Sequence, residues 1–175
     1  LMNAAGVKAQ KLAVGEKVTP LQNPDRGELE PDPHVWGDAE NGIVMVTGIR
    51  DALIELSPED QEIFTENANR LVEELRQVDI WIRKQIGTIP EGQRRLVTTH
   101  DAFEYYAKAY GLEMTGTLIG MSTEEQPSAQ TLKNLVEEIK KTGVPAIFAE
   151  TTINPKLITT VAQEAGVKLA PRELY

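Results

Sequence analysis

From Arg95 onward, short apolar runs alternate with amphipathic stretches that each close on a glycine. This alternation restricts the fold more than any other feature of the chain. Arg95 to Thr99 reads as a strand, Asp101 to Tyr110 as a helix ending at Gly111, and Leu112 to Ile119 as a second strand. Pro127 to Lys141 is expected to be a helix, with Ser122 or Ser128 near its start and Gly143 at its end. Val144 to Ala149 reads as a buried strand, Pro155 to Ala165 as a helix closed by Gly166, and Val167 to Ala170 as the start of another strand. Glycine supplies the left-handed backbone on which helices commonly end. Strands separated by helices pair in parallel and are covered by those helices. The expected fold class is therefore α/β, with a parallel-sheet lobe and flanking helices.

Two further helices precede this lobe. Ile43, Val46, Ile49, Leu53 and Leu56 recur every three or four residues, which predicts an amphipathic helix from about Asp38 to Leu56. Ser57-Pro58-Glu59-Asp60 then reads as a new start: Ser57 can cap, Pro58 suits the first turn, and the two acids favour the positive end of the helix dipole. The stripe Phe64, Ala68, Leu71, Leu75, Val78, Ile82 and Ile86 carries that helix to Gly87, with Pro90 just beyond. At 1.5 Å per residue, a helix of about 29 residues would be roughly 43 Å long. Leu1 to Gly6 looks like the end of a helix whose beginning lies upstream, and Val7 to Val14 alternates loosely enough to suggest a strand. Residues 15–33, with four prolines, read as a surface loop that ends in Asp32-Pro33-His34-Val35-Trp36.

Composition removes several function classes. The net charge is −9, and a surface of that sign repels phosphate backbones and anionic lipid, so neither nucleic acid nor a membrane surface is expected as a partner. The chain has no cysteine, which excludes disulfides, thiolate metal sites and cysteine nucleophiles. No apolar run approaches the roughly 20 residues of a bilayer span. There is no G-x-S-x-G elbow, no G-x-G-x-x-G after a strand and no Walker A loop.

Ligands of parallel sheets gather at the carboxyl ends of the strands. His100, the run Ser122-Thr123-Glu124, and Glu150 fall at those ends, so the topology brings His100 and Glu150 to one rim. The chain has only two histidines, His34 and His100, and both lie at element boundaries rather than within apolar stripes. Imidazole with carboxylate suits zinc, manganese or iron, although the wide separation of the two histidines is not a local ligand spacing. Asp101 reads as the cap of the helix after His100. Tyr105, Tyr106 and Tyr110 on that helix read as core packing with one exposed edge, and Trp36 either walls off a site or staples its loop.

The block Asp32-Pro33-His34-Val35-Trp36, with Asp38-Ala39-Glu40-Asn41 after it, resembles the metal-binding solute-binding proteins of manganese and zinc ABC importers, the adhesin-type lipoproteins. The likeness continues through Leu96-Val97-Thr98-Thr99-His100-Asp101-Ala102-Phe103, Ser122-Thr123-Glu124-Glu125-Gln126-Pro127, Ala146-Ile147-Phe148-Ala149-Glu150 and Ala165-Gly166-Val167. The resemblance implies two α/β lobes joined by one long helix, with the metal between them. Residues 1–56 would then be the remnant of a first lobe, 57–88 the linker helix and 89–175 a second lobe short of its C-terminus. His34 would be a metal ligand from the first lobe. His100 would be a ligand from the second, at a position where some manganese-type members carry Glu. A further first-lobe His would lie upstream, and an Asp ligand just beyond Tyr175. Glu150 would at most orient a ligand. Gly37 stands where the family often has a larger apolar residue, which suggests a looser turn. The His-rich loop of many zinc members is absent, which favours manganese, whereas His100 favours zinc; the balance favours manganese.

The resemblance thus implies a carrier that captures a divalent transition metal, Mn2+ or Zn2+, between two lobes and hands it to the membrane permease of an ABC importer. It would act in the periplasm or on the extracellular face of the membrane, tethered by a lipid anchor upstream, and would make or break no bond. Its ligands must be deprotonated, so binding should weaken as pH falls through the imidazole range. Apolar surface left uncovered by a missing lobe would invite dimerisation. Two other readings stay open: an α/β enzyme using His100 and Glu150 as base and orienter, and an interaction module without a ligand.

Overall fold

The computed structural model describes residues 9–21 and 31–175. The helix end expected at Leu1 to Gly6 lies outside the described residues. The strand expected over Val7 to Val14 is not formed in its described part: residues 9–13 are irregular, and Val14–Lys17 is a 3-10 turn.

Helix α1 (Ala39–Leu56) is capped by Asp38, whose side chain accepts a hydrogen bond from the Glu40 N–H at 3.0 Å. Helix α2 (Gln61–Gly87) is the long helix predicted from the apolar stripe. Its start differs from expectation. Pro58–Asp60 forms a separate 3-10 turn, and the Ser57 hydroxyl donates to the Asp60 carboxylate at 2.8 Å instead of capping backbone N–H groups. The acidic pair that follows Pro58 offers that hydroxyl a charged acceptor, which outcompetes the cap. Helices α1 and α2 pack side by side, with Leu75 of α2 against Gly42 of α1.

The alternating region folds as the sequence predicts in type and order. Strand β1 (Arg95–His100) pairs in parallel with β2 (Glu113–Ile119), and β3 (Ala146–Ile147) pairs in parallel with β4 (Lys168–Leu169). The Phe148 N–H donates to the Val97 carbonyl at 3.0 Å, which joins the two pairs side by side with β1 inside. A parallel bridge between Glu150 and Leu174 extends the pairing past β3. Helices α3 (Glu104–Tyr110), α4 (Ala129–Thr142) and α5 (Lys156–Ala165) connect the strands, and each ends on a glycine with positive φ: Gly111, Gly143 and Gly166. Ser128 caps α4 through the Thr131 N–H at 3.1 Å. Asp101 does not cap α3, because that helix begins three residues later, after Phe103.

The main core is built from Val97 and Leu118 of the strands, Leu135 and Ile139 of α4, and Ile158 and Val161 of α5, with Val144 and Ile147 between them. Burying each such side chain contributes about 1.5–3 kcal/mol. This core fixes the carboxyl end of β1, and therefore His100, against the segment that carries Glu150. A smaller apolar cluster joins Val18 and Val35 to Tyr105 of α3. It seats the turn that follows His34. Among the described residues, no helix is long and apolar enough to cross a membrane.

Candidate metal centre

His34 and His100 meet. Their rings stand edge to face, with centroids 5.3 Å apart and an interplanar angle of 77°. His100 is the last residue of β1, delivered to the rim by a fully buried strand interior. His34 immediately precedes the 3-10 turn Val35–Gly37, which lies against α3. Both histidines are buried. Trp36, on the same turn, is 64% exposed, and its ring stands edge to face with His34 at 5.4 Å. It therefore lies on the solvent side of the histidine pair rather than inside the core.

Each imidazole is held by its own buried carboxylate, and in the same way. Asp32 Oδ1 accepts from the His34 backbone N–H at 2.9 Å and contacts the ring Nδ1 at 2.7 Å. Glu150 Oε1 accepts from the His100 backbone N–H at 2.8 Å, while its Oε2 bonds the ring Nδ1. An ionised carboxylate can only accept, so each of these bonds places the ring proton on Nδ1. Nε2 is then the nitrogen with an available lone pair in both rings, and it bonds to none of the described residues. Fixing Nδ1–H with a carboxylate is the usual way proteins orient a ligating histidine and raise its basicity.

The spacing suits one ion between the rings. A tetrahedral ion with metal–nitrogen bonds of about 2.0–2.1 Å would hold two imidazole centroids about 5 Å apart. Two buried carboxylates stand behind the two imidazoles, a set of groups that suits a cation rather than an anion. Among the described residues, no group of three or more His, Cys, Asp or Glu side chains is placed to hold a metal. The described residues therefore supply a two-imidazole face.

The sequence placed His100 and Glu150 on one rim, and the structure brings them into contact. Asp32 was not singled out, although a carboxylate two residues before His34, across a proline, is the spacing of an Asx-type turn. That pattern was the available signal. The three tyrosines of α3 were read as core, and two of them are buried. They also form the surface on which the His34 turn rests. Gly37 does not loosen that turn: a Cβ there would stand 3.3 Å from the Tyr106 backbone nitrogen, so the turn and α3 are in close contact. Glu124 and Ser122 stay in the loop after β2, where Ser122 Oγ accepts from the Glu124 N–H at 3.2 Å, and they do not join the histidines.

The model of the family described as zinc-uptake complex component A, periplasmic, matches residues 1–175. The chain belongs to this family. Within it, the manganese-binding lipoprotein MntA of Halalkalibacterium halodurans is 36% identical over 139 residues, which cover 79% of this chain and 46% of the relative. MntA of Bacillus subtilis is 32% identical over 169 residues, 96% of this chain and 55% of the relative. The chain thus spans about half the length of the curated relatives it matches. Among solved structures, the periplasmic zinc binding protein TroA from Treponema pallidum superposes with a TM-score of 0.88 at 30% identity, covering 96% of this chain and 62% of that one. The family is one of substrate-binding transport proteins, and the α/β architecture of the described residues is shared with its solved structures.

Proposed function

We propose that this chain is part of a solute-binding protein that captures a divalent transition metal, manganese or zinc, with His34 and His100 as two of its ligands. The protein would deliver the ion to the membrane permease of an ABC importer from the periplasm or the outer face of the membrane. The observation that carries this reading is the pair of facing imidazoles, each with Nδ1 tied to a buried carboxylate. The matched family and the manganese- and zinc-binding names of its members support the same class of cargo.

In this reading residues 1–56 belong to a first lobe, 57–88 form the linker helix and 89–175 belong to a second lobe. His34 and His100 then approach the ion from opposite lobes. The apolar side chains of Ile49, Leu53 and Leu56, exposed on α1, suit contact with further protein.

His100 with Glu150 would also serve as a general base with its orienter. A second histidine with its own carboxylate, facing the first, argues against that use. A lone base needs one such pair, whereas two imidazoles in edge-to-face contact, each with its own carboxylate, suit a coordination site. The protein is accordingly assigned a carrier role and no bond-making step.

Isothermal titration of Mn2+ and Zn2+ into the wild-type chain, His34→Ala and His100→Ala tests this reading. Each substitution is expected to remove the heat of binding while leaving the melting temperature within a few degrees. Metal binding that survives both substitutions unchanged would overturn it.

A further inference from the structure

Tyr105, Tyr106 and Tyr110 of α3 meet the segment just after His34 at three points. Val35 packs on Tyr105 in the small apolar cluster, and the Ala39 N–H donates to the Tyr110 hydroxyl at 3.4 Å. Gly37 lies between these two anchors. A Cβ built there would stand 3.3 Å from the Tyr106 backbone nitrogen and 3.5 Å from its Cβ. Gly37 is not among the glycines with positive φ, so its backbone conformation does not demand glycine. The close approach is what crowds a side chain there. The nearest atom belongs to helix backbone and cannot rotate away.

We propose that Gly37 is a positioning residue that sets the distance between His34 and His100 by letting the His34 turn seat directly on the backbone of α3. Helix α3 is tied to His100 by a short connection in which the Ala102 N–H donates to the His100 carbonyl at 3.1 Å. The turn is tied to His34 in the same manner, since the Gly37 N–H donates to the His34 carbonyl at 3.3 Å. The contact between Gly37 and Tyr106 therefore links the two carriers of the imidazoles by a short, stiff route. A side chain at position 37 lifts the turn off α3 by a few tenths of an ångström or more and moves His34 away from His100. Metal bonds tolerate little of this, because productive geometry is held to within about 0.5 Å in such sites. The consequence for metal affinity rests on the proposed function; the consequence for the distance between the rings does not.

The test uses the full chain with Gly37→Leu, Gly37→Ala and, as control, Gly42→Ala, where a Cβ meets only Leu75 at an ordinary 3.5 Å. Without metal, the wild type and Gly42→Ala should show a nuclear Overhauser contact between the ring protons of His34 and His100. Gly37→Leu should weaken it several-fold at an unchanged melting temperature, and Gly37→Ala should weaken it partly. Zinc affinity, read by competition with a chromophoric chelator, should fall about tenfold in Gly37→Leu, the scale on which residues behind metal ligands act. An undiminished ring contact in Gly37→Leu overturns the inference, as does a loss that merely follows a general loss of stability. If Gly37→Leu does not fold, Gly37→Ala decides alone, and an unchanged contact there overturns it. A Gly37→Leu chain that loses the ring contact but keeps the wild-type zinc affinity supports the spacing inference and defeats the carrier reading, so the two failures are distinguishable.

Discussion

Glu150 holds His100 at two points, accepting the backbone N–H with one carboxylate oxygen at 2.8 Å and bonding the ring Nδ1 with the other. The residue that fixes the ring thus also fixes the strand end that presents it. Glu150→Gln keeps one acceptor and replaces the other with an NH2 group, which cannot receive the Nδ1 proton. The ring then has to move its proton to Nε2 or turn away. Metal affinity is expected to fall 10- to 100-fold, and 15N spectra of the imidazole should show the Nε2–H tautomer. An unchanged affinity with an unchanged tautomer would show that Glu150 does not orient this ring.

Asp32→Asn makes the corresponding change at His34, but the effect should be smaller. Asp32 is only two residues from His34, and its Oδ1 accepts both the backbone N–H and Nδ1. An Asn carbonyl at the same place still accepts both bonds and loses only the charge, whereas at Glu150 two separate oxygens are needed. The expected loss of affinity is about tenfold or less. A chelator competition that ranks Asp32→Asn as the more damaging of the two would contradict this.

How much of this arrangement is legible in the sequence depends on the range of the interaction. Gly111, Gly143 and Gly166 mark helix ends correctly because a left-handed terminus is a local event. The long helix α2 is legible because its apolar stripe, Phe64 to Ile86, repeats over about six turns. Ser57 misleads, since whether its hydroxyl caps backbone or bonds Asp60 is a competition between two local partners. Strands β3 and β4 are shorter than expected because pairing passes from Ile147 to Phe148 bonded to Val97, a tertiary choice that apolar runs do not encode. The approach of His34 to His100 is of the same kind. It depends on Val35, Gly37 and Ala39 seating on α3, and no spacing rule connects those residues to Tyr105, Tyr106 and Tyr110. The resemblance of the Asp32 to Trp36 block supplied it. Asp32 was missed although it lay inside the block that carried the resemblance.

Ile158→Ala tests how the core supports the rim. Ile158 is fully buried in α5 and belongs to the same cluster as Val97 and Ile147. Truncation leaves a cavity and is expected to cost 2–5 kcal/mol, read as a lower denaturant midpoint at an unchanged slope. A loss under 1 kcal/mol would mean that the site collapses freely and that the sheet–helix layer is not tightly packed. Ser128→Ala, which removes the α4 cap, should cost about 1 kcal/mol in the same assay.

Alkaline unfolding should begin where α3 meets the two long helices. The Tyr110 ring lies 5.1 Å from the Arg83 guanidinium carbon, and Arg83 bonds Asp79 at 2.8 Å and the Ala109 carbonyl at 2.7 Å. Burial pushes the Tyr110 phenol up from its ordinary value to about 12; the Ala39 N–H donated to its oxygen works against this, and the nearby Asp79 and Asp38 carboxylates add to it. Burial also raises Tyr106. A raised phenol in the fold means that the native state keeps a proton which the unfolded chain has already released. Stability from this group is therefore fully present below about pH 10 and is lost as pH rises through about 12. Tyrosinate absorbance should rise later than for free tyrosine, and the denaturation midpoint should fall over the same window. Tyr110→Phe should flatten that fall. Near neutral pH it should cost no more than about 1 kcal/mol, because the bond it removes is long, at 3.4 Å. If Tyr110→Phe leaves the alkaline slope unchanged, Tyr110 does not carry this linkage and the alkaline loss has another origin.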